Sequence, residues 1–194
     1  NALSVIAITE KNNLFHAPET YMEKISSKAK EKGVIDLDYT IEKNVSNLCD
    51  YLNKNAENLT ACVLNRPRHK RIIDELKKLK VKIKLITDGD VSGALLVTDQ
   101  KYNVDIFLGT GGGPEGVLAA TALDSFNCGF QGRFLFESNE EKLRAKKMGI
   151  DDLTKKYELN EIVSGDSIFC ATGITSGELV KGIEMNKNTF QSET

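Results

Sequence analysis

Three short stretches combine the residue types needed to handle phosphate, sugar and a hard cation. Arg66-Pro67-Arg68-His69 follows the apolar run Ala61-Cys62-Val63-Leu64. Guanidinium groups suit bidentate phosphate contacts, and Pro67 stiffens the loop so that both arginines face one way. Asp88-Gly89-Asp90 follows a second apolar run. Two acids this close suit a hard cation or a sugar hydroxyl, and an Asp-Gly pair alone is usually just a turn. The third stretch, Gly109-Thr110-Gly111-Gly112-Gly113-Pro114-Glu115-Gly116, precedes an alanine-rich run. Its Gly111-x-Gly113-x-x-Gly116 spacing matches a dinucleotide fingerprint, and Glu137 stands about 20 residues on, where a ribose-binding acid belongs. Glu115 opposes that reading. In the first helical turn its charge would repel a pyrophosphate unless a divalent cation lay between them. Pro114 and Glu115 also suit a plain helix start. No Gly-Lys-Ser/Thr follows the glycines, so this is not a P-loop. His69 reads as a local hydrogen-bonding or phosphate-facing group, and His16 as structural.

The surrounding pattern says what must hold these loops. A strand, a loop and a helix recur three times: at 61–79 with Ile72, Ile73, Leu76 and Leu79 on one helical face, at 81–97, and at 104–126. Alternating strands and helices predict an α/β sheet, mostly parallel. In open α/β sheets, ligands bind beyond the carboxyl ends of the strands, where all three loops fall. Earlier in the chain, 3–8 and 12–18 read as two strands joined by a turn at Lys11-Asn12-Asn13. Residues 18–26 read as a short helix started by Pro18. Ile41, Val45, Leu48 and Leu52 predict a further helix. "GRFLF" and "DSIFCAT" supply strands, and "EKLRAKKMG" a helix ending at Gly149.

Hydrophobic residues make up 40% of the 194-residue chain and charged ones 28%, which suits an ordinary soluble globular protein of one domain or one and a half. A net charge of -2 gives no reason to expect a nucleic acid or an anionic membrane as partner. No apolar run reaches the length of a membrane span. Cys49, Cys62, Cys128 and Cys170 show no metal-site spacing and lie in or beside apolar runs, so they read as buried free thiols of a cytoplasmic protein.

Taken together, "APETYMEKI", "NRPRHKRIIDEL", "TDGDVSGALL", "GTGGGPEGVLAATAL", "CGFQGRF" and "IFCATGITSGELVKGI" resemble the class II fructose-1,6-bisphosphatases, metal-dependent and lithium-sensitive, over nearly the whole chain. The resemblance implies a layered α/β/α/β/α fold, of which residues 1–194 are the C-terminal major portion. It implies hydrolysis of the C1 phosphate of fructose 1,6-bisphosphate in carbohydrate metabolism, with sedoheptulose 1,7-bisphosphate as a further substrate, and Mn²⁺ or Mg²⁺ as cofactor. Glu115 becomes a metal ligand. Gly112 and Tyr21 become substrate contacts, Asp88, Gly89 and Asp90 the sugar-binding segment, and Arg66, Pro67 and Arg68 the segment holding the uncleaved phosphate. Arg66 stands where the family usually carries lysine. The remaining metal ligands and a water-activating threonine are expected upstream of Asn1, and a missing stretch near 138–141. The family association implies a homo-oligomer, dimer or tetramer. Two rival readings stand beside this one: an NAD-dependent oxidoreductase using Gly111, Gly113 and Gly116, and a non-catalytic sugar-phosphate binding module.

Overall fold

The central strands are covered on both faces, so runs such as 61–64 and 106–108 are apolar throughout. The computed structural model describes residues 2–194. A six-stranded sheet has the order β4-β3-β5-β2-β6-β7, built from β2 (Tyr21–Ser27), β3 (Thr60–Leu64), β4 (Lys82–Ile86), β5 (Ile106–Gly112), β6 (Gly129–Leu135) and β7 (Lys156–Glu158). β3 is parallel to β4 and β5. β2 runs antiparallel to both β5 and β6, and β7 antiparallel to β6. The sheet is therefore mixed. Its β3, β4 and β5 portion follows the expected parallel pattern, and one reversed strand, β2, divides that portion from β6.

Residues 18–26, expected as a short helix, instead lead into and make up most of that reversed strand, Tyr21–Ser27. The reason lies in its inward face, which carries Met22, Lys24 and Ser26, all buried. Two polar residues inside erase the apolar alternation that marks a strand. β1 (Leu3–Thr9) does not form the expected hairpin either. It pairs antiparallel with β8 (Ser167–Gly173), while Leu14 bridges to Val163.

One face of the large sheet packs on α1 (Ile41–Leu52) and α2 (Lys70–Lys78) through Ile25, Leu48, Val63, Leu76, Ile106 and Leu108. The other packs on α3 (Asp90–Leu95) and α4 (Gly113–Ser125) through Met22, Phe107, Ala120, Leu123 and Phe134. The β1–β8 pair lies against α4. The described residues thus make four successive layers: helices, sheet, helices, sheet. Buried between two of them, α4 is apolar nearly all round, as such a position requires. α5 (Asn139–Lys147) begins with a capping box of Ser138 and Glu141, and α6 (Leu159–Ile162) follows β7. The four cysteines are free; Cys62 and Cys128 are buried, Cys49 and Cys170 half-buried. Burial pushes the Cys62 thiol up to about 12. Among the described residues, no helix is long and apolar enough to cross a membrane.

A charge cluster pins β7 to the segment before α1. Lys156 bonds Asp36 and Asp38, and Arg133 also reaches Asp38. Burial pushes Asp36 up, but Lys156, the Asp38 amide and Gln131 outweigh it and hold its carboxyl below the ordinary 3.8. Lys156 and Arg133 hold Asp38 below it too. Groups with depressed folded pKa stabilise fully above the unfolded value and stop doing so as pH falls through the folded one. Lys156→Met should therefore lower the unfolding midpoint at pH 7, with the gap to wild type shrinking below pH 3.8. A gap unchanged from pH 7 to 3 in thermal melts would show that the cluster contributes nothing through charge.

Candidate functional site

Strand direction gathers the site. β3, β4, β5 and β6 all point the same way, so 65–69, 87–90, 110–113 and 135–141 meet at one edge. β2 starts at that edge, where Tyr21 pairs with Gly112 on one side and Leu135 on the other. The edge therefore brings together Tyr21, Arg66, Pro67, Arg68, Asp88, Gly89, Asp90, Gly112 and Glu115, and it adds Lys24.

The basic loop does not point both arginines the same way. Residues 67–69 form a 3₁₀ turn with Arg66 extended before it. Arg66 reaches Asp88 of the β4 loop, Nη2 to Oδ1 at 3.3 Å. Arg68 reaches the opposite neighbour and donates to the Thr110 carbonyl from Nε at 3.0 Å and Nη2 at 2.8 Å. Its guanidinium lies 5.0 Å from the Tyr21 ring centroid, a cation–π arrangement. Two of its five N–H donors are spent on Thr110, and among the described residues the rest have no hydrogen-bond partner and can meet an anion. His69 faces inward. The Thr110 amide donates to its Nε2 at 2.8 Å. An amide can only donate, so Nδ1 carries the proton and gives it to the Leu64 carbonyl at 2.9 Å. Burial holds the imidazole below its ordinary value, with Arg68 adding to that and both backbone bonds opposing it. His69 locks the loop to the strands and does not face a ligand. His16 is exposed, outside this edge.

Gly89, at φ 86°, occupies the left-handed region that lets the Asp88-Gly89-Asp90 turn run straight into α3. Asp88 stays exposed. Asp90 turns inward and pairs with Lys24, while its Oδ1 accepts from the Val91 amide at 3.1 Å. Lys24 Nζ also donates to the Gly112 carbonyl at 2.6 Å. Burial pulls the Lys24 ammonium down from the ordinary lysine value; Asp90 and Glu115 oppose this and Arg68 adds to it. Lys24 escaped the sequence reading because its segment looked helical. A lysine between Met22 and Ser26 gives little sign that it is buried.

The glycine stretch is not a loop. β5 ends at Gly112 and α4 begins at Gly113, and none of its glycines has positive φ. They are there to make room. A Cβ on Gly111 would lie 2.0 Å from Asp90 Oδ2, and one on Gly112 1.9 Å from Glu115 Oε2. The Glu115 carboxylate thus folds back over Gly112. A Cβ on Gly116 would lie 2.4 Å from Met22 Sδ. The dinucleotide reading loses its turn. Its helix start is also poor in donors: Pro114 has no N–H and the Gly113 amide goes to Thr20 at 2.7 Å. In the first turn, only the Glu115 amide is left for a phosphoryl oxygen.

Beside this junction lies a cleft of about 570 Å³ lined by Glu19, Thr20, Tyr21, Gly112, Pro114, Glu115, Glu137 and Glu141. Its carboxylates are hard oxygen donors of the kind Mg²⁺ and Mn²⁺ take. Glu141 is committed to the Ser138 and Glu137 amides, which hold it below the ordinary value. Among the described residues, no three His, Cys, Asp or Glu side chains converge to hold a metal. The Glu115 carboxylate at this cleft has the chemistry of one donor in a site that other groups would complete.

The family model for bacterial, glpX-encoded fructose-1,6-bisphosphatase matches residues 1–194. The chain is 35% identical over its full length to a D-fructose 1,6-bisphosphatase class 2/sedoheptulose 1,7-bisphosphatase of Synechococcus sp. (strain JA-3-3Ab), covering 59% of that protein. It is 36% identical, over 94% of its length, to proteins of the same name from Microcystis aeruginosa and Synechocystis sp., covering 56% of each. The chain thus spans less than two thirds of these relatives. It belongs to the bacterial, glpX-encoded fructose-1,6-bisphosphatase family.

Proposed function

We propose that the protein hydrolyses the C1 phosphate of fructose 1,6-bisphosphate, releasing fructose 6-phosphate and phosphate. The observation carrying this reading is the meeting of Arg68, Tyr21, Asp90, Gly112 and Glu115 at one sheet edge in a chain of this family. Arg66, Pro67 and Arg68 hold the 6-phosphate. Asp88, Gly89 and Asp90 receive the sugar hydroxyls, and Tyr21 and Gly112 line the path between. Glu115 would hold a divalent ion, Mn²⁺ or Mg²⁺, together with groups that the described residues do not supply. Such an ion would polarise a phosphoryl oxygen and lower the pKa of the attacking water. The chain's own part is positioning. Holding the distal phosphate fixes the reacting end, and that is worth most when the bound pose is already close to reaction. The names of the relatives favour sedoheptulose 1,7-bisphosphate as a second substrate for the same site. The reading includes a cytoplasmic homo-oligomer, dimer or tetramer, which light scattering and fractionation check.

Phosphate release from each bisphosphate, with and without Mn²⁺ or Mg²⁺, tests the reading. Release that needs the metal supports it, and the ratio of kcat/KM ranks the two sugars. Binding of fructose 6-phosphate without any release would make the protein a binding module instead. Arg68→Ala should raise KM for the bisphosphate about tenfold or more, the worth of a charge-assisted contact, with kcat changed less. An unchanged KM would remove Arg68 from the distal-phosphate role.

A further inference from the structure

Lys24 is 1% exposed and is the largest fully buried side chain. Burying an ammonium is costly, and an apolar residue of the same length would often stabilise as well or better. The fold nevertheless builds a slot for it. Its direct neighbours across β5 and β6 are Gly109 and Gly132, which put no side chain beside its stem. A Cβ on Gly116 would come within 3.0 Å of its Cε, so α4 too gives way to it. Its ammonium then bridges two segments distant in sequence: Asp90 at the start of α3 and the Gly112 carbonyl at the β5–α4 junction. The Glu115 carboxylate, folded over Gly112, feels the same charge.

We infer that Lys24 is a positioning residue that fixes the separation between the Asp90 loop and the Gly112–Glu115 corner. The inference rests on the functional reading above, in which Asp90 meets the sugar and the corner meets the phosphoryl group. Without the ammonium, two carboxylates face each other across the site and the Asp90 side chain is free to swing outward. The sugar contact is then lost before the chemistry is. Lys24 touches no substrate in this scheme; it acts through Asp90 and Gly112.

A double-mutant cycle tests it, with Lys24→Met, Asp90→Asn and the pair. Lys24→Met should raise KM for fructose 1,6-bisphosphate about tenfold or more, with a smaller fall in kcat. In the Asp90→Asn background it should add little, because both changes remove one interaction. Additive losses would overturn the assignment. Hydrogen exchange gives a second readout that needs no turnover. Amides at 87–91 and 111–115 should lose protection in Lys24→Met while those of β3 keep theirs; unchanged protection would overturn the inference. Should Lys24→Met fail to fold, the double variant, which leaves no unpaired charge, carries the exchange comparison. Wild-type protein that releases no phosphate would refute the functional reading, and the exchange result would still decide the role of Lys24.

Discussion

Glu115→Gln should abolish nearly all turnover and leave the fold untouched. The substitution keeps the shape of the side chain, so the amide can still lie back over Gly112, where Glu115 Oε2 now sits. Glu115 is exposed, and exposed substitutions away from structural features shift stability little. What changes is the donor. A neutral amide oxygen is a poor replacement for a carboxylate on a hard divalent ion. The expected loss in kcat is about 100-fold or more, the scale of removing one electrostatic stabiliser from a site that builds up charge. Half-saturating Mn²⁺ should rise in parallel, and the thermal midpoint should stay put. Near-wild-type turnover at saturating Mn²⁺ would exclude Glu115 as a ligand. A collapse of the midpoint would mean instead that the side chain holds the helix start together.

Gly116→Val should be the most damaging single change to stability near the site. Its Cβ would lie 2.4 Å from Met22 Sδ and 3.0 Å from Lys24 Cε. The methionine end can move, but the lysine has no room: it is fully buried and tied at its tip to Asp90 and Gly112. Relief requires either α4 to lift from β2 or Lys24 to leave its partners. Leaving a buried charge unpaired costs about 3–5 kcal/mol. For a domain of this size, that lowers the unfolding midpoint by on the order of 10 °C. Activity should fall with it, because Glu115 rides on the same helical turn. A wild-type midpoint in calorimetry would show that α4 packs more loosely than the contacts here require.

The candidate edge was legible because strand-end loops gather at one edge whatever the order of the strands. Arg66, Arg68, Asp88, Asp90 and Glu115 each followed an apolar run that is a strand, and that was enough to place them together. The pairing between loops was not legible. Arg66 meets Asp88 and Arg68 meets Thr110 because β3 lies between β4 and β5, a neighbour relation set by long-range contacts. The glycines were visible as unusual, but the reason was hidden. They lie opposite Met22 and Lys24 on a strand whose polar interior looked helical. β1 was read with the wrong partner because its true one, β8, lies some 160 residues away and no local pattern records that.

The placement of β2 also sets an order of events during synthesis. It lies between β5 and β6, and both are made long after it. About 100 residues separate the end of β2 from the start of β6, which takes a ribosome roughly 5–20 s. For most of that interval, until β5 is made, a strand whose Met22, Lys24, Ile25 and Ser26 are destined for the interior has no neighbour to join, while β3 and β4 can already pair. Tyr21, at the start of β2, therefore reaches its place only when the last of its neighbours has emerged. The sheet edge at Tyr21 is completed only after β6 emerges, and the nascent chain has most need of a chaperone while β2 waits.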